Sequence, residues 1–171
     1  MKKINDISFF EQDTILLAQA LIGKWIVTNI NGKQTVAQIS ETEAYLGIND
    51  SACHTYLAKR TQRTEPMWQN GGTIYIYLCY GMHNMLNIVS NKKDIPDAVL
   101  IRAVIGGEGP AKATKLLNID RSLNGQQIVN NPQIAICDDG NEYNFIAKPR
   151  VGINYALAND RDALLRIVLK K

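Results

Sequence analysis

Two runs of β-branched and aromatic residues, Trp25-Ile26-Val27-Thr28-Asn29-Ile30 and Thr35 through Tyr45, flank the dipeptide Asn31-Gly32. Asn-Gly between such runs is the strongest short-range hairpin signal, because both turn positions need positive φ and these residues adopt it at least cost. The pattern repeats downstream. Thr73 to Tyr80 is a strand-prone run, Gly81-Met82 interrupts it, and Met85 to Val89 reads as the returning strand. A further strand is expected from Ala98 to Ile105, with shorter ones near Ile134–Cys137 and Phe145–Ala147 and an apolar segment from Leu164 to Leu169. Strands joined by tight turns pair antiparallel, which points to an α+β or open-barrel architecture rather than a doubly wound one.

Helices are few. Asp13 or Thr14 can cap a helix whose apolar stripe is Ile15, Leu17, Ala18, Leu21 and Ile22, with Gly23 suited to its end. Gly109-Pro110 opens a second that runs to about Asn118, with proline at its first position. Residues 47–72 carry no sustained period, and a loop of that length inside a compact chain tends to be functional or disordered.

Composition narrows the class. At 171 residues and 46% hydrophobic the chain can bury one core without staples. Its net charge of +3 permits a nucleic-acid partner without demanding one, although basic residues gather at Lys59-Arg60 with Arg63, at Lys92-Lys93 and at Lys112 with Lys115. Cys53, Cys79 and Cys137 lack the paired spacing of a zinc site, so a reduced, cytoplasmic protein is expected. The start carries Asp6, Glu11 and Asp13 without an apolar run, and nothing approaches a membrane span.

Four groups invite chemistry. On a strand Glu41, Glu43 and Tyr45 share one face, so a carboxylate can act as general base beside a ring that stacks on a flat substrate. A solvent-facing acidic strand explains the same pattern. Tyr75 and Tyr77 share a face of the second hairpin, and Tyr75 suits a core. Tyr80, beside Gly81 at the turn, is harder to bury and suits a stacking or wedging role. His54 and His83 are each explained as structural hydrogen-bonders, and Trp25 and Trp68 as packing residues. Arg102 lies in an otherwise apolar strand, where its charge must be paired or must face a polar cavity. The Gly106-Gly107-Glu108-Gly109-Pro110 approach to a helix matches no phosphate-binding fingerprint.

Taken together, Glu41-Thr42-Glu43-Ala44-Tyr45-Leu46-Gly47, Asp50-Ser51-Ala52-Cys53-His54, Gly72 to Tyr77, Tyr80-Gly81-Met82-His83, Leu86-Asn87, Leu100-Ile101-Arg102-Ala103, Gly109-Pro110-Ala111-Lys112 and Pro149-Arg150-Val151-Gly152-Ile153 resemble the alkyladenine (3-methyladenine) DNA glycosylases of the non-helix-hairpin-helix type. The resemblance runs from about residue 9 to about residue 167. It implies a glycosylase that flips an alkylated or deaminated purine from duplex DNA and hydrolyses its bond to the sugar. Glu43 would activate the water, with Arg102 and the Val151 carbonyl helping to hold it. Tyr45 and Tyr77 would sandwich the flipped base, with His54 in the pocket. Asn87 would exclude the amino group of normal guanine, and Tyr80 would fill the gap in the duplex. No metal, cofactor or lysine nucleophile is implied, and no membrane or obligatory protein partner; a monomer is expected.

The expected architecture is therefore one domain over residues 1–171: an α+β fold with a curved antiparallel sheet or open-barrel core, a protruding β-hairpin and a few flanking helices. Two segments depart from the family pattern. Lys59 to Thr64 lacks the usual proline, and Ala163-Leu164-Leu165-Arg166-Ile167 replaces a more proline- and aromatic-rich ending. Neither is expected to touch the catalytic residues. Two other readings fit parts of the pattern: a non-catalytic nucleic-acid binding module, and a small-molecule hydrolase using Glu41 and Glu43 as an acid–base pair.

Overall fold

A computed structural model describes residues 1–170. In chain order the elements are β1 (Lys2–Lys3), α1 (Thr14–Leu21), β2 (Trp25–Ile30), β3 (Lys33–Tyr45), β4 (Ile74–Cys79), β5 (His83–Val89), β6 (Ala98–Val104), α2 (Pro110–Leu116), β7 (Ile134–Asp138), β8 (Phe145–Lys148), α3 (Ala158–Asp162) and β9 (Arg166–Leu169). The strands form one antiparallel sheet in the order β1-β7-β2-β3-β6-β5-β4, with β9 added beside β3 and β8 beside β9. The sheet curls into a half-barrel, the α+β arrangement that the turn pattern predicts.

The long strand β3 explains the curl. Its first half pairs with β2, and Asn31 (φ 52) and Gly32 (φ 75) close the turn so tightly that Lys33 lies opposite Ile30. The strand thus starts two residues before the expected Thr35. Its second half pairs with β6 along one edge and β9 along the other. Between the halves the register slips around Glu41, a bulge that bends the strand and strengthens its twist.

Alternation along the strands sorts side chains into two sets. Ala44, Ile74, Ile76, Leu86, Ile88, Val99 and Ile101 enter the main core, which Leu17, Ala18 and Leu21 of α1 and Ala113 of α2 cover. The intervening residues, Glu43 and Tyr45 on β3, Tyr75 and Tyr77 on β4, Asn87 on β5 and Arg102 on β6, fall on the other face. Helix α1 is held at its start by Asp13, whose carboxylate accepts the Ile15 and Leu16 amides at 2.9 and 3.1 Å. Helix α2 begins with Pro110, as expected, and ends at Leu116, short of Asn118.

The stretch 47–72 is wound into three short turns, at Gly47–Asn49, Tyr56–Ala58 and Glu65–Trp68. Within it Leu57 (φ 56) and Ala58 (φ 58) are successive left-handed residues without glycine, a conformation that costs about 1–2 kcal/mol each. Strand β1 and helix α3 were not expected: two exposed lysines and the polar Ala158–Asp162 carry no apolar period. Among the described residues no helix is long and apolar enough to cross a membrane.

Candidate active site

Glu43 is the centre of the polar face. Its side chain is 1% exposed, and two hydrogen-bond donors and a guanidinium converge on it. Oε1 accepts the Val151 amide at 2.9 Å and faces Arg102 Nε at 3.1 Å, while Oε2 accepts the Tyr45 hydroxyl at 2.8 Å. Burial raises the carboxyl above its ordinary range; the Val151 amide, the Tyr45 hydroxyl and the Arg102 and Arg150 guanidinium groups oppose that rise. Tyr45 is itself driven well above the ordinary phenol range by burial and by the neighbouring carboxylate, so it stays a donor. Glu41 points to the same side but is held between Arg102 at 3.8 Å and Arg166 at 3.3 Å.

Beside this carboxylate is a cleft walled by Tyr45, His54, Tyr75, Tyr77, Asn87 and Tyr155. The rings of Tyr75 and Tyr77 are 5.6 Å apart and tilted by 33°, and His54 meets Tyr77 edge-on at 4.6 Å. The His54 Nδ1 lies 2.9 Å from the Tyr75 hydroxyl, which fixes the imidazole against the wall. Burial lowers the His54 pKa to about 4, with Arg63 and Lys59 adding to the effect, so the ring is neutral near pH 7. Tyr75 is buried as a core strand residue should be, but its hydroxyl also orients His54. The cleft holds about 40 Å³, room for a few waters and too little for a purine ring.

Asn87 is buried with its amide donating to the Tyr75 and Met85 carbonyls, each at 3.2 Å, so both N–H groups are spent on backbone and the side chain forms a fixed wall. Tyr80 stands apart from the cleft at the hairpin tip. It is 90% exposed with φ 51, beside Gly81 (φ 69), and Met82 next to it is exposed too. His83 is exposed. Outside β4, an open groove of about 480 Å³ lies between Arg63, Arg121, Tyr77 and Asn124. It is larger than the cleft and shares Tyr77 with it, but it lacks Tyr45, the cleft residue whose hydroxyl bonds Glu43.

Four features differ from the sequence expectation or add to it. Val151 donates its amide N–H to Glu43, a contact beyond the water-holding role that the resemblance implied for its carbonyl. The C-terminal departure does touch the site: Arg166 pairs in register with Glu43 and bonds Glu41, and the Leu165 carbonyl accepts the Ala44 amide. Arg60 is not a free cation but is paired with Glu65 and Asp94 and stacked over Trp68. Trp25 donates to Asp139 at 2.9 Å, so it is hydrogen-bonded as well as packed.

Sequence reasoning also missed residues that complete the site. Arg150 sits over the Tyr45 ring at 4.7 Å and is ion-paired with buried Asp50. Arg63 lies over Tyr77 at 5.3 Å, and Tyr155 closes the mouth of the cleft with its hydroxyl on the Ala52 carbonyl. All lie in irregular segments, where no period marks a facing direction. The only available signal was that Asp50 and Arg150 both fall inside the quoted motifs.

The sequence profile of the methylpurine-DNA glycosylase family matches residues 8–106 and 107–171. A protein of Borrelia garinii subsp. bavariensis named as a 3-methyladenine DNA glycosylase is 42% identical, covering 95% of this chain and 94% of its own. Proteins of the same name from Natranaerobius thermophilus (40% identical, 88% of each chain) and Clostridium novyi (38% identical, 99% of this chain and 96% of its own) match similarly. The chain belongs to the methylpurine-DNA glycosylase family.

Proposed function

We propose that the protein is a monofunctional DNA glycosylase that flips alkylated or deaminated purines out of duplex DNA and hydrolyses the N-glycosidic bond, leaving an abasic site. The observation that carries this reading is the buried Glu43 carboxylate, fixed by two hydrogen bonds and an ion pair beside an aromatic cleft. A carboxylate has about four acceptor sites. Two are taken by hydrogen bonds and the Arg102 guanidinium faces Oε1 as an ion pair, which leaves room for a water between Glu43, Arg102 and the Val151 carbonyl.

In this mechanism the glycosidic bond breaks with its electron pair going to the base, and the sugar becomes oxocarbenium-like. The negative charge of Glu43 stabilises that sugar. Water attacks C1′ and gives its proton to Glu43. A ring-charged alkylpurine leaves as a neutral molecule, so no acid is required for it. Tyr45 and Tyr77 stack on the flipped base, neutral His54 hydrogen-bonds it or the adjoining sugar-phosphate, and Asn87 bars a guanine amino group. Because the free cleft is narrow, admission of a base has to part the aromatic walls, an induced fit driven by stacking. Tyr80 fills the gap in the duplex through the minor groove, and unstacking costs least at a lesion. One DNA-facing surface suffices, so the enzyme works as a monomer.

The test is a panel of duplexes carrying hypoxanthine, ethenoadenine or a methylated purine, each incubated with protein and then treated with alkali to cut abasic sites. Strand cleavage at one or more lesions is expected. Retained duplex binding with no cleavage at any lesion would sink the proposal in favour of a binding module.

A further inference from the structure

Arg150 has the most deeply buried cationic side chain among the described residues, 0% exposed, and it pairs with Asp50, itself 3% exposed. The guanidinium is almost fully used. Nη1 donates to an Asp50 oxygen and to the Ala44 carbonyl at 3.0 Å; Nη2 donates to the other Asp50 oxygen at 2.9 Å and to the Asp160 carbonyl at 3.1 Å. Asp50 is saturated in turn by the Leu46 and Ala52 amides at 2.9 and 3.0 Å. A buried ion pair is expensive to desolvate, and an apolar pair of similar volume often serves stability equally well. Its presence here calls for a reason other than stability.

The next residue supplies one. Val151 is the amide donor to Glu43, and the Arg150 guanidinium lies over the ring of Tyr45, the hydroxyl donor to Glu43. The pair also belongs to a seam between two irregular segments. Ser51 binds Asp160 through its amide and hydroxyl, the Leu157 amide donates to Ser51 at 2.9 Å, and the Tyr155 hydroxyl to the Ala52 carbonyl at 3.0 Å. No regular element runs between Lys148 and Ala158, so the Arg150 fork sets where Val151 stands.

We propose that Arg150, held by Asp50, is a positioning residue for the Glu43 reaction: the pair pins residues 149–157 over β3 so that the Val151 amide and the Tyr45 ring meet the Glu43 carboxylate and the cleft in one geometry. This rests on the glycosylase reading for its kinetic consequences and extends it to residues that touch neither base nor water. The groups around Glu43 are Glu41 and Tyr45 on its own strand, Arg102 from β6, Arg166 from β9 through Glu41, Tyr77 from β4, Tyr155, and Arg150 with Asp50. The Arg150 charge also lowers the Glu43 carboxyl directly, so Arg150→Lys, which keeps the cation, separates that effect from the loss of the amide bond.

The experiment compares the parent with the double variant Asp50→Leu/Arg150→Met and with Arg150→Lys. Single-turnover base release is followed across pH, and the Glu43 carboxyl is titrated by ¹³C NMR in the free protein. The double variant removes both charges together and leaves no orphan ion. Release should slow on the order of a hundredfold, the scale of an ångström-sized misplacement. Its acid limb should move to higher pH, because a carboxylate that loses a donor protonates more readily. Arg150→Lys keeps a cation but not the flat bidentate fork, so it should recover only part of the rate. A folded double variant with the parental titration and acid limb overturns the proposal. Should the double variant fail to fold, parental rate and titration in Arg150→Lys overturn it instead. If the parent releases no base from any duplex, the glycosylase reading fails, while the Glu43 titration still decides the positioning claim.

Discussion

At the residue scale the site is a contest between burial and hydrogen bonding at Glu43. Removing a donor shifts the balance predictably. Tyr45→Phe keeps the stacking ring but deletes the hydroxyl on Oε2, so Glu43 should protonate at higher pH. The acid limb of base release should move up by roughly one pH unit, since a hydrogen bond to a charged group is worth about that much. An unmoved limb would mean that Glu43 is not the titrating base. His54 makes an independent prediction about stability. Its folded pKa of about 4 lies below the ordinary value of 6.5, so the unfolded chain binds the proton first as pH falls. The stabilisation is complete above about pH 6.5 and is lost as pH falls towards 4, by up to about 3 kcal/mol. The raised carboxyl of Glu43 acts in the opposite sense, so the comparison has to be with His54→Gln. Urea unfolding at pH 7 and 4.5 should show the parent losing more stability than the variant over that interval. Equal losses would put the imidazole outside the buried wall.

The same residues show what the sequence discloses. Glu43, Tyr45 and Arg102 were legible because a strand gives every second side chain a common face, and a charge in an apolar strand demands a partner. The Asp50–Arg150 pair was not, because its members lie 100 positions apart in segments without a period. The role of Val151 was half legible: its place in the motif was plain, but whether its amide or carbonyl faces Glu43 is a backbone rotation that no residue type encodes.

At the scale of elements, two exposed features do separable work. The β4–β5 tip presents Tyr80 at 90% exposure, so Tyr80→Ala should leave thermal stability unchanged. It should weaken capture of a lesion duplex more than binding to undamaged duplex, read by fluorescence anisotropy on both. Equal weakening would count against a wedge. The turn at Tyr56–Ala58 carries its strain at Leu57, 76% exposed with φ 56, where a side chain gains little packing. Leu57→Gly relieves the left-handed penalty at some cost in chain entropy, and should stabilise by roughly 0.5–1 kcal/mol in urea unfolding. Destabilisation would show that Leu57 is packed in solution. Hairpin turns, the α1 cap and the proline start of α2 were readable from local chemistry. Strand β1 and helix α3 were not, since a two-residue strand and a five-residue helix depend on their neighbours.

At the scale of the molecule, the curled sheet divides the labour between its faces. One face buries isoleucine, leucine and valine under α1 and α2; the other carries the carboxylate, the arginines and the tyrosines. The bulge at Glu41 turns β3 between its two sets of partners, and β9 returns from the C-terminus to brace Glu43 from the far edge. That last pairing is why a C-terminal departure from the family pattern reaches the site, a consequence of topology that motif spacing does not reveal. A modest net charge of +3 suits the proposed function, which assigns specificity to the cleft and the Tyr80 tip rather than to a uniformly basic surface.

In the proposed mechanism Glu43 turns a bound, flipped purine into an abasic site. The most direct measurement of this step is single-turnover base release by Glu43→Gln on the lesion duplex that the parent cleaves best, with affinity for that duplex determined in parallel. Glu43→Gln should slow release by at least about a thousandfold while the dissociation constant stays within about threefold of the parent. Release by Glu43→Gln at the parental rate would contradict the mechanism.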